Sequence, residues 1–296
     1  SIRRQRQMCI RDSSFGRVEA HRDVIIQLAQ ASATSKFAGK IEEFLEEYLV
    51  TETGSGTVPF GGRKTELEIL NRWLADPKAP SRFLLTAPAG RGKSALLVRW
   101  IQRLHTERRV GDNDKSWRLA FVPISIRFHT NRPEVFYEAI AARLVQIVGR
   151  QLKTAHTDPV AYYEDQCRLL LIEAGEQRLP ILLVIDGIDE ALGECFDPSW
   201  FPKAPGVHLR LVVSARLQVG DQNAQGWANR LLWNQDVRVQ THALPILDRS
   251  GVEDLLLHAG APVDALAEQP RIVEKLYKLS EGEPLLLKLY VQDLWK

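Results

Sequence analysis

The sequence predicts an α/β fold: a doubly wound parallel sheet with helices ahead of it and a helical lid behind it. Three observations carry this. Short apolar runs at 83–85 and 181–185, and a third at 209–214 that carries Arg210 and Ser214, have the character of strands covered on both faces. Long segments with apolar residues at helical spacing alternate with them. The first run also passes through a glycine loop straight into a helix, within RFLLTAPAGRGKSALLVRW at 82–100.

The bulk numbers fit that class. The chain has 296 residues, 45% of them apolar and 26% charged, enough for one large or two medium domains with a real core. A net charge of +2 argues against a dedicated nucleic-acid binder. Cys9, Cys167 and Cys195 show neither metal spacing nor an even-numbered disulfide framework, which points to a reducing compartment. No apolar run reaches membrane-spanning length, and no secretory segment opens the chain. The expectation is a cytoplasmic protein without a membrane partner.

In chain order, residues 1–12 are basic and aperiodic and resemble translated adapter sequence, so they are set aside as a non-native or disordered tail. Residues 13–50 read as helical, with Ile25, Ile26 and Leu28 on one stripe and Ile41, Phe44, Leu45, Tyr48 and Leu49 on a second. Glu42, Glu43, Glu46 and Glu47 form its solvated face. TETGSGT at 51–57 reads as a linker. The core is expected over 58–246. It opens on a turn, Phe60-Gly61-Gly62-Arg63, and an amphipathic helix over 64–74. A second strand is expected over 119–128, irregular or at an edge because of Pro123. Helices are expected over 134–152 and 161–176, and a weaker strand over 237–241. Trp73, Trp100, Trp200, Trp227 and Trp233 are read as packing. From 247 to 296 the pattern is helical throughout, a lid cut off inside its last helix, so the natural chain is expected to continue.

The chemistry concentrates at the expected carboxyl ends of the strands. Strand, glycine loop with Lys-Ser and helix together make a phosphate-binding loop. Its residues are Ala87, Pro88, Ala89, Gly90, Arg91, Gly92, Lys93, Ser94 and Ala95. Gly90 and Gly92 let consecutive N–H groups face one anion, and the helix that follows adds its positive end. Lys93 supplies a point charge for β- and γ-phosphates, and the Ser94 hydroxyl is a Mg²⁺ ligand. Ala87 stands where the motif has its first glycine, which is tolerable while its φ stays negative. The second constellation is ILLVIDGIDEA, 181–191. Asp186 ends a buried strand, where an acid needs a cation or hydrogen bonds; beside a phosphate loop it holds Mg²⁺. Gly187 leaves room for the γ-phosphate. Asp189 and Glu190 are each able to orient or deprotonate a water, with Asp189 preferred. Arg216 closes LRLVVSAR, where a guanidinium reaches a γ-phosphate. Ser214 and Arg210 are read as structural, and His129 and His208 as non-catalytic.

With these residues in place, the chain resembles the STAND class of P-loop NTPases, in the NACHT and AP-ATPase neighbourhood of the AAA+-like proteins. FGGRKTEL at 60–67 is similar to the class's opening motif, APAGRGKS to its phosphate loop, VIDGIDEA to its Mg²⁺ strand and LRLVVSAR to its sensor strand. GEPLLLKLY at 282–290 is similar to its Gly-x-Pro helix start. The resemblance implies that Phe60, Gly61 and Arg63 lie near the adenine and Pro284 against base or ribose. It also implies a Mg²⁺-dependent ATPase, slow and regulatory, closed with ADP and self-associating with ATP, whose oligomer drives attached effector and sensor domains. Two other readings stay open: an origin-recognition-like DNA-binding AAA+ ATPase, and a scaffold that holds ADP without turnover.

Overall fold

The computed structural model describes residues 23–30, 35–51, 58–111, 116–155, 157–192, 198–233 and 238–293. The tail at 1–12, all but the first residue of the linker, Cys9, Cys195 and the chain end at Trp295 and Lys296 lie outside the described residues.

Strands β1 (Arg82–Ala87), β2 (Arg118–Pro123), β3 (Ile181–Asp186), β4 (Leu209–Arg216) and β5 (Val239–Ala243) form a five-stranded sheet in the order β2-β3-β4-β1-β5. Every pairing is parallel. The chain leaves the interior strand β1 for the edge strand β2. It then walks back through β3 and β4, and reaches β5 on the far side of β1. Loops leaving β1, β3 and β4 therefore share one edge of the sheet, the place where open parallel sheets bind ligands. All residues of β1 and β3 are buried, which explains their unbroken apolar runs. β5 is half exposed along its length, which is why its sequence signal is weak.

Two helical layers cover the sheet. Phe121, Val184, Val212 and Phe83 stand in register across it. Onto that row pack α2 (Ser35–Leu49), whose Phe44 ring lies 5.8 Å from Phe121, and α3 (Lys64–Ala75), whose Trp73 lies 5.4 Å from Phe83. The loop helix α4 (Lys93–Thr106) packs with α2 and α3 on this side. The other face carries α5 (Pro133–Val148) and α6 (Pro159–Glu176). A short α1, described over 23–30, adds Ile25, Leu28 and Ala29 to the same core. So do Ile41, Leu45 and Leu49 of α2, from the helical segment that precedes the linker. All five tryptophans read as packing are buried there. The C-terminal helices α8 (Arg249–Leu257), α9 (Pro270–Ser280) and α10 (Pro284–Asp293) follow the short α7 (Gln225–Arg230) and β5. They build a separate small core from Leu247, Val252, Leu256, Val273, Leu276 and Leu287. Leu279 and Leu285 of these helices are half exposed. Among the described residues, no helix is long and apolar enough to cross a membrane.

Three boundaries differ from expectation. β2 stops at Pro123 instead of running to 128, because the chain then closes on itself: Ser125 N–H donates to Thr130 Oγ1 at 2.9 Å, and Thr130 N–H donates back to Ser125 O at 3.0 Å. α5 ends at Val148, not 152, where Gly149 turns left-handed with φ 78°. β5 is displaced by two residues from the expected 237–241, its last rung pairing Ala243 with Thr86.

Phe44 fills the space between α2 and β2, so Phe44→Ala is expected to destabilise the chain by about 3–5 kcal/mol. Urea unfolding measures it; an unchanged midpoint would show that α2 docks without supporting the core.

Candidate active site

The loop after β1 has the geometry its glycines require. Gly90 and Gly92 are left-handed at φ 80° and 87°, while Ala87 is a buried β1 residue outside the positive-φ region, as its substitution for glycine demands. α4 begins at Lys93 behind Gly92, with no side-chain cap on its first turn, so those N–H groups remain available to an anion. Pro88, Ala89 and Gly90 are exposed. Beneath them Lys93 is 8% exposed, and its Nζ donates to Ala87 O at 3.1 Å and Pro88 O at 3.3 Å. Burial holds this ammonium below its usual pKa, and the charges of Asp189 and Asp186 pull the other way.

Asp186, at the end of β3, is 3% exposed. Burial raises its pKa; hydrogen bonds from Ser214 and Ser94 and the charge of Lys93 lower it. Ser214 stands on β4, where its hydroxyl donates to Asp186 Oδ1 and accepts from Gly187 N–H at 3.0 Å. The sequence reading treats Ser214 as structural; the structure puts it against Asp186. Its signal is a lone hydroxyl that ends the apolar Leu211-Val212-Val213 run, two residues before Arg216. Gly187 also has a different reason to be glycine from the one the sequence suggests. At φ 81°, a Cβ there would come within 2.7 Å of Ile124 O, so the missing side chain makes room for a neighbouring loop.

Asp189, Glu190 and Arg216 form one cluster. Asp189 Oδ1 accepts from Arg216 N–H at 2.8 Å and its Oδ2 lies 3.3 Å from the guanidinium Nε. Glu190 pairs with Arg216 Nη2 through one oxygen and accepts from Ile126 N–H at 3.0 Å through the other. Both candidate bases are thus held by the same half-exposed arginine.

A further side chain reaches the site from outside the motifs. Tyr48 of α2 shares a hydrogen bond with Ser94, and its phenol is pushed up to about 12, first by burial and then by the charge of Asp186. Nothing in KIEEFLEEYLV distinguishes this tyrosine from its apolar stripe.

The flanking motifs meet the same loop. Arg63, 4% exposed, donates to Pro245 O at 2.9 Å and to Arg91 O at 3.0 Å, so it ties the phosphate loop to the strand-to-lid connection. Gly61 and Gly62 press on α8. A Cβ on Gly61 would lie 2.5 Å from Leu255 N, and Gly62 N–H donates to Asp254 Oδ2 at 2.7 Å. The Phe60 ring lies under the Arg99 guanidinium at 5.7 Å. From the lid, Glu283 accepts from Arg91 Nε at 2.6 Å, Pro284 opens α10, and Leu285 covers Gly90, where an added Cβ would stand 3.3 Å from its own. Ala95 lies in the first turn of α4. The structure therefore brings together the loop, Asp186, Asp189, Glu190 and Arg216, with Arg63 and the Gly-Glu-Pro turn touching the loop from either side.

Because the folded Asp186 carboxyl is raised, the folded chain keeps a proton that the unfolded chain has already released. Stability falls as pH rises from the ordinary carboxylate range through the folded value, and the cost is full above it. Asp186→Asn is accordingly expected to raise the melting temperature of the ligand-free chain at neutral pH and to leave it unchanged in acid. A lower melting temperature at neutral pH would mean that Lys93 and the serines outweigh the burial.

No family model matches the sequence, and no curated protein matches it. Among solved structures, the chain is similar to a Signal Transduction ATPase with Numerous Domains (STAND) protein with a tetratricopeptide repeat sensor, PH0952 from Pyrococcus horikoshii. The identity is 16% and the TM-score 0.41, over 79% of this chain and 30% of that one. It is also similar to Hsp104 of S. cerevisiae in its casein complex, at 14% identity and a TM-score of 0.49, over 84% of this chain and 39% of that one. The chain thus spans well under half the length of either. What defines the fold is the chain's own arrangement: five parallel strands, a glycine loop opening a helix after β1, and acids at the mouth of β3. It is a P-loop NTPase fold.

Proposed function

We propose that the chain is the Mg²⁺-dependent, ATP-binding and slowly hydrolysing module of a STAND-type signalling switch. The observation that carries the nucleotide reading is Lys93. A buried ammonium held by two loop carbonyls, under the exposed Pro88-Ala89-Gly90 turn and beside an uncapped helix start, is a cation waiting for a phosphate. The donor set also suits a divalent ion: the Ser94 hydroxyl and the Asp186 carboxylate are adjacent, and the latter is buried beyond what two serines compensate. Mg²⁺ held there would neutralise phosphate charge. Lys93 and the first N–H groups of α4 would bind β- and γ-phosphates, Asp189 (or Glu190) would orient and deprotonate water, and Arg216 would leave the acids to meet the γ-phosphate.

The switch reading rests on the lid. Arg91 and Gly90, both in the phosphate loop, are the residues that Glu283 and Leu285 touch, so what fills the loop bears on where the lid sits. ADP would keep this closed state, and ATP would favour opening, self-association and activation of attached effector and sensor domains. The preference for adenine follows the resemblance, and a cytoplasmic setting follows the cysteine pattern. One observation favours a second reading, an ADP-holding scaffold without turnover: Arg216 occupies both candidate bases.

Lys93→Ala is expected to abolish ATP binding by calorimetry, and equal affinity in the variant would overturn the nucleotide reading. Asp189→Asn is expected to bind ATP normally and to lose phosphate release. Unchanged release would move the base to Glu190, and no multiple-turnover release by the unaltered chain would leave the scaffold.

A further inference from the structure

At the opposite, amino-terminal edge of the sheet, a cavity of about 620 Å³ opens between loops at 77–81 and 203–207. Lys78, Arg82, Lys203, Arg210 and Arg238 line it, and among the described residues no carboxylate does. Five cations on one concave surface are a local choice in a chain whose net charge is only +2. The cavity is not an extension of the first site. Arg82 and Ala87 are the two ends of β1, roughly 17 Å apart at about 3.3 Å per residue.

Two of the five are buried. Arg82 pairs in register with Leu211, so Arg210 leaves β4 on the other face of the sheet, and the two enclose the strand ends between them. Each is 2% exposed. Arg82 donates to Pro202 O at 2.7 Å, Phe201 O at 3.3 Å and Ser81 Oγ at 3.5 Å, with its guanidinium 4.9 Å from the Phe201 ring centre. Arg210 donates to Asp76 O at 2.7 Å and Ala79 O at 3.2 Å, and lies 5.6 Å from the Trp73 ring centre. The Nε of each is buried without a partner. Every acceptor is neutral. The nearest acid, Asp76, spends a carboxylate oxygen on Lys78 N–H at 2.8 Å and pulls on Arg210 only from a distance. Burial lowers both guanidinium pKa values, that of Arg82 to about 10. Carbonyls and rings hold these groups in place, but none of them balances the charge.

We propose that this cavity is a second anion site, taking a small, multiply charged phosphate compound such as a di- or polyphosphate. The volume falls within the usual range for small-molecule sites. Buried, fixed guanidiniums supply a positive floor, and the exposed Lys78, Lys203 and Arg238 supply mobile donors at the mouth. An acidic protein segment is the competing occupant, but a compact ligand suits two guanidiniums fixed at the floor of one concave surface better than an extended chain does.

Inorganic pyrophosphate, titrated by calorimetry into the full chain carrying Lys93→Ala, reads this site without the phosphate loop. Saturable binding is expected. It should weaken about tenfold or more when Lys203→Glu and Arg238→Glu are added, with an unchanged circular-dichroism melt. Should Lys93→Ala not fold, the unaltered chain is expected to take two pyrophosphates and the Lys203→Glu/Arg238→Glu chain one. No binding beyond the loop, or equal binding after charge reversal, overturns the proposal. Binding of poly-glutamate in place of pyrophosphate overturns it in favour of an acidic segment. ATP binding by the charge-reversed chain stays as in the parent, which separates this site from the first.

Discussion

A carboxylate that ends a buried strand has to be held, and Asp186 sets the terms for everything around it. Water cannot reach it, so its partners must come from the protein: the Ser214 hydroxyl from β4, a hydrogen bond from Ser94, and the ammonium of Lys93 nearby. Each of those partners arrives on a different element, and each element is fixed by the parallel ladder. Ser214 can reach Asp186 only because β4 pairs with β3 in the observed register. Lys93 can approach only because β1 lies next to β4 and carries the loop to the same edge. The order β2-β3-β4-β1-β5 is therefore what assembles the charges, and the apolar strands beneath are what make the charges costly enough to need one another.

The same loop is the junction between the sheet and the lid. Arg63 holds Arg91 O from one side, and the Arg91 side chain reaches Glu283 on the other. Gly61, Gly62 and Gly282 are small where they must be: a Cβ on Gly282 would stand 2.1 Å from Leu247 O. Backbone meets backbone at these points, and packed backbones shift between arrangements rather than bend. A lid seated this way has few intermediate positions. That suits a part whose position depends on what the loop holds.

Sequence legibility followed burial. Strands with both faces covered, β1, β3 and β4, were plain as apolar runs, and so were the motifs at their ends, because glycines, Lys93 and Asp186 have few other uses in those positions. The half-exposed β5 was misplaced by two residues, since an edge strand with one wet face carries no strong pattern. β2 was read too long because Ile124, Ile126 and Phe128 continue a strand-like alternation, and only the hydrogen bonds between Ser125 and Thr130 show that the chain has turned. Ser214 and Tyr48 escaped as site residues for a common reason. Their roles exist only across elements, one between neighbouring strands and one between α2 and the loop, and no spacing along the chain encodes that. For Gly187 the structure adds a neighbour, Ile124 O, that no spacing along the chain reveals.

The position of Tyr48 bears on how the segment before the linker belongs to the rest. Residues 35–49 are separated from the core by a run rich in glycine, serine and threonine, which in sequence reads as a boundary. In space, Phe44, Leu45 and Leu49 lie in the core of the sheet, and Tyr48 lies against the hydroxyl that a metal would need. A phenol that shares a hydrogen bond with Ser94 competes with any other claim on that oxygen, and a phenol pushed up to about 12 stays protonated throughout the neutral range. The N-terminal helix and the lid thus approach the phosphate loop from opposite ends of the chain, one through Ser94 and one through Arg91. Tyr48 sits on a helix whose Phe44 ring packs against Phe121 and Phe128, so the phenol beside Ser94 is held in place by core packing and not by the loop alone.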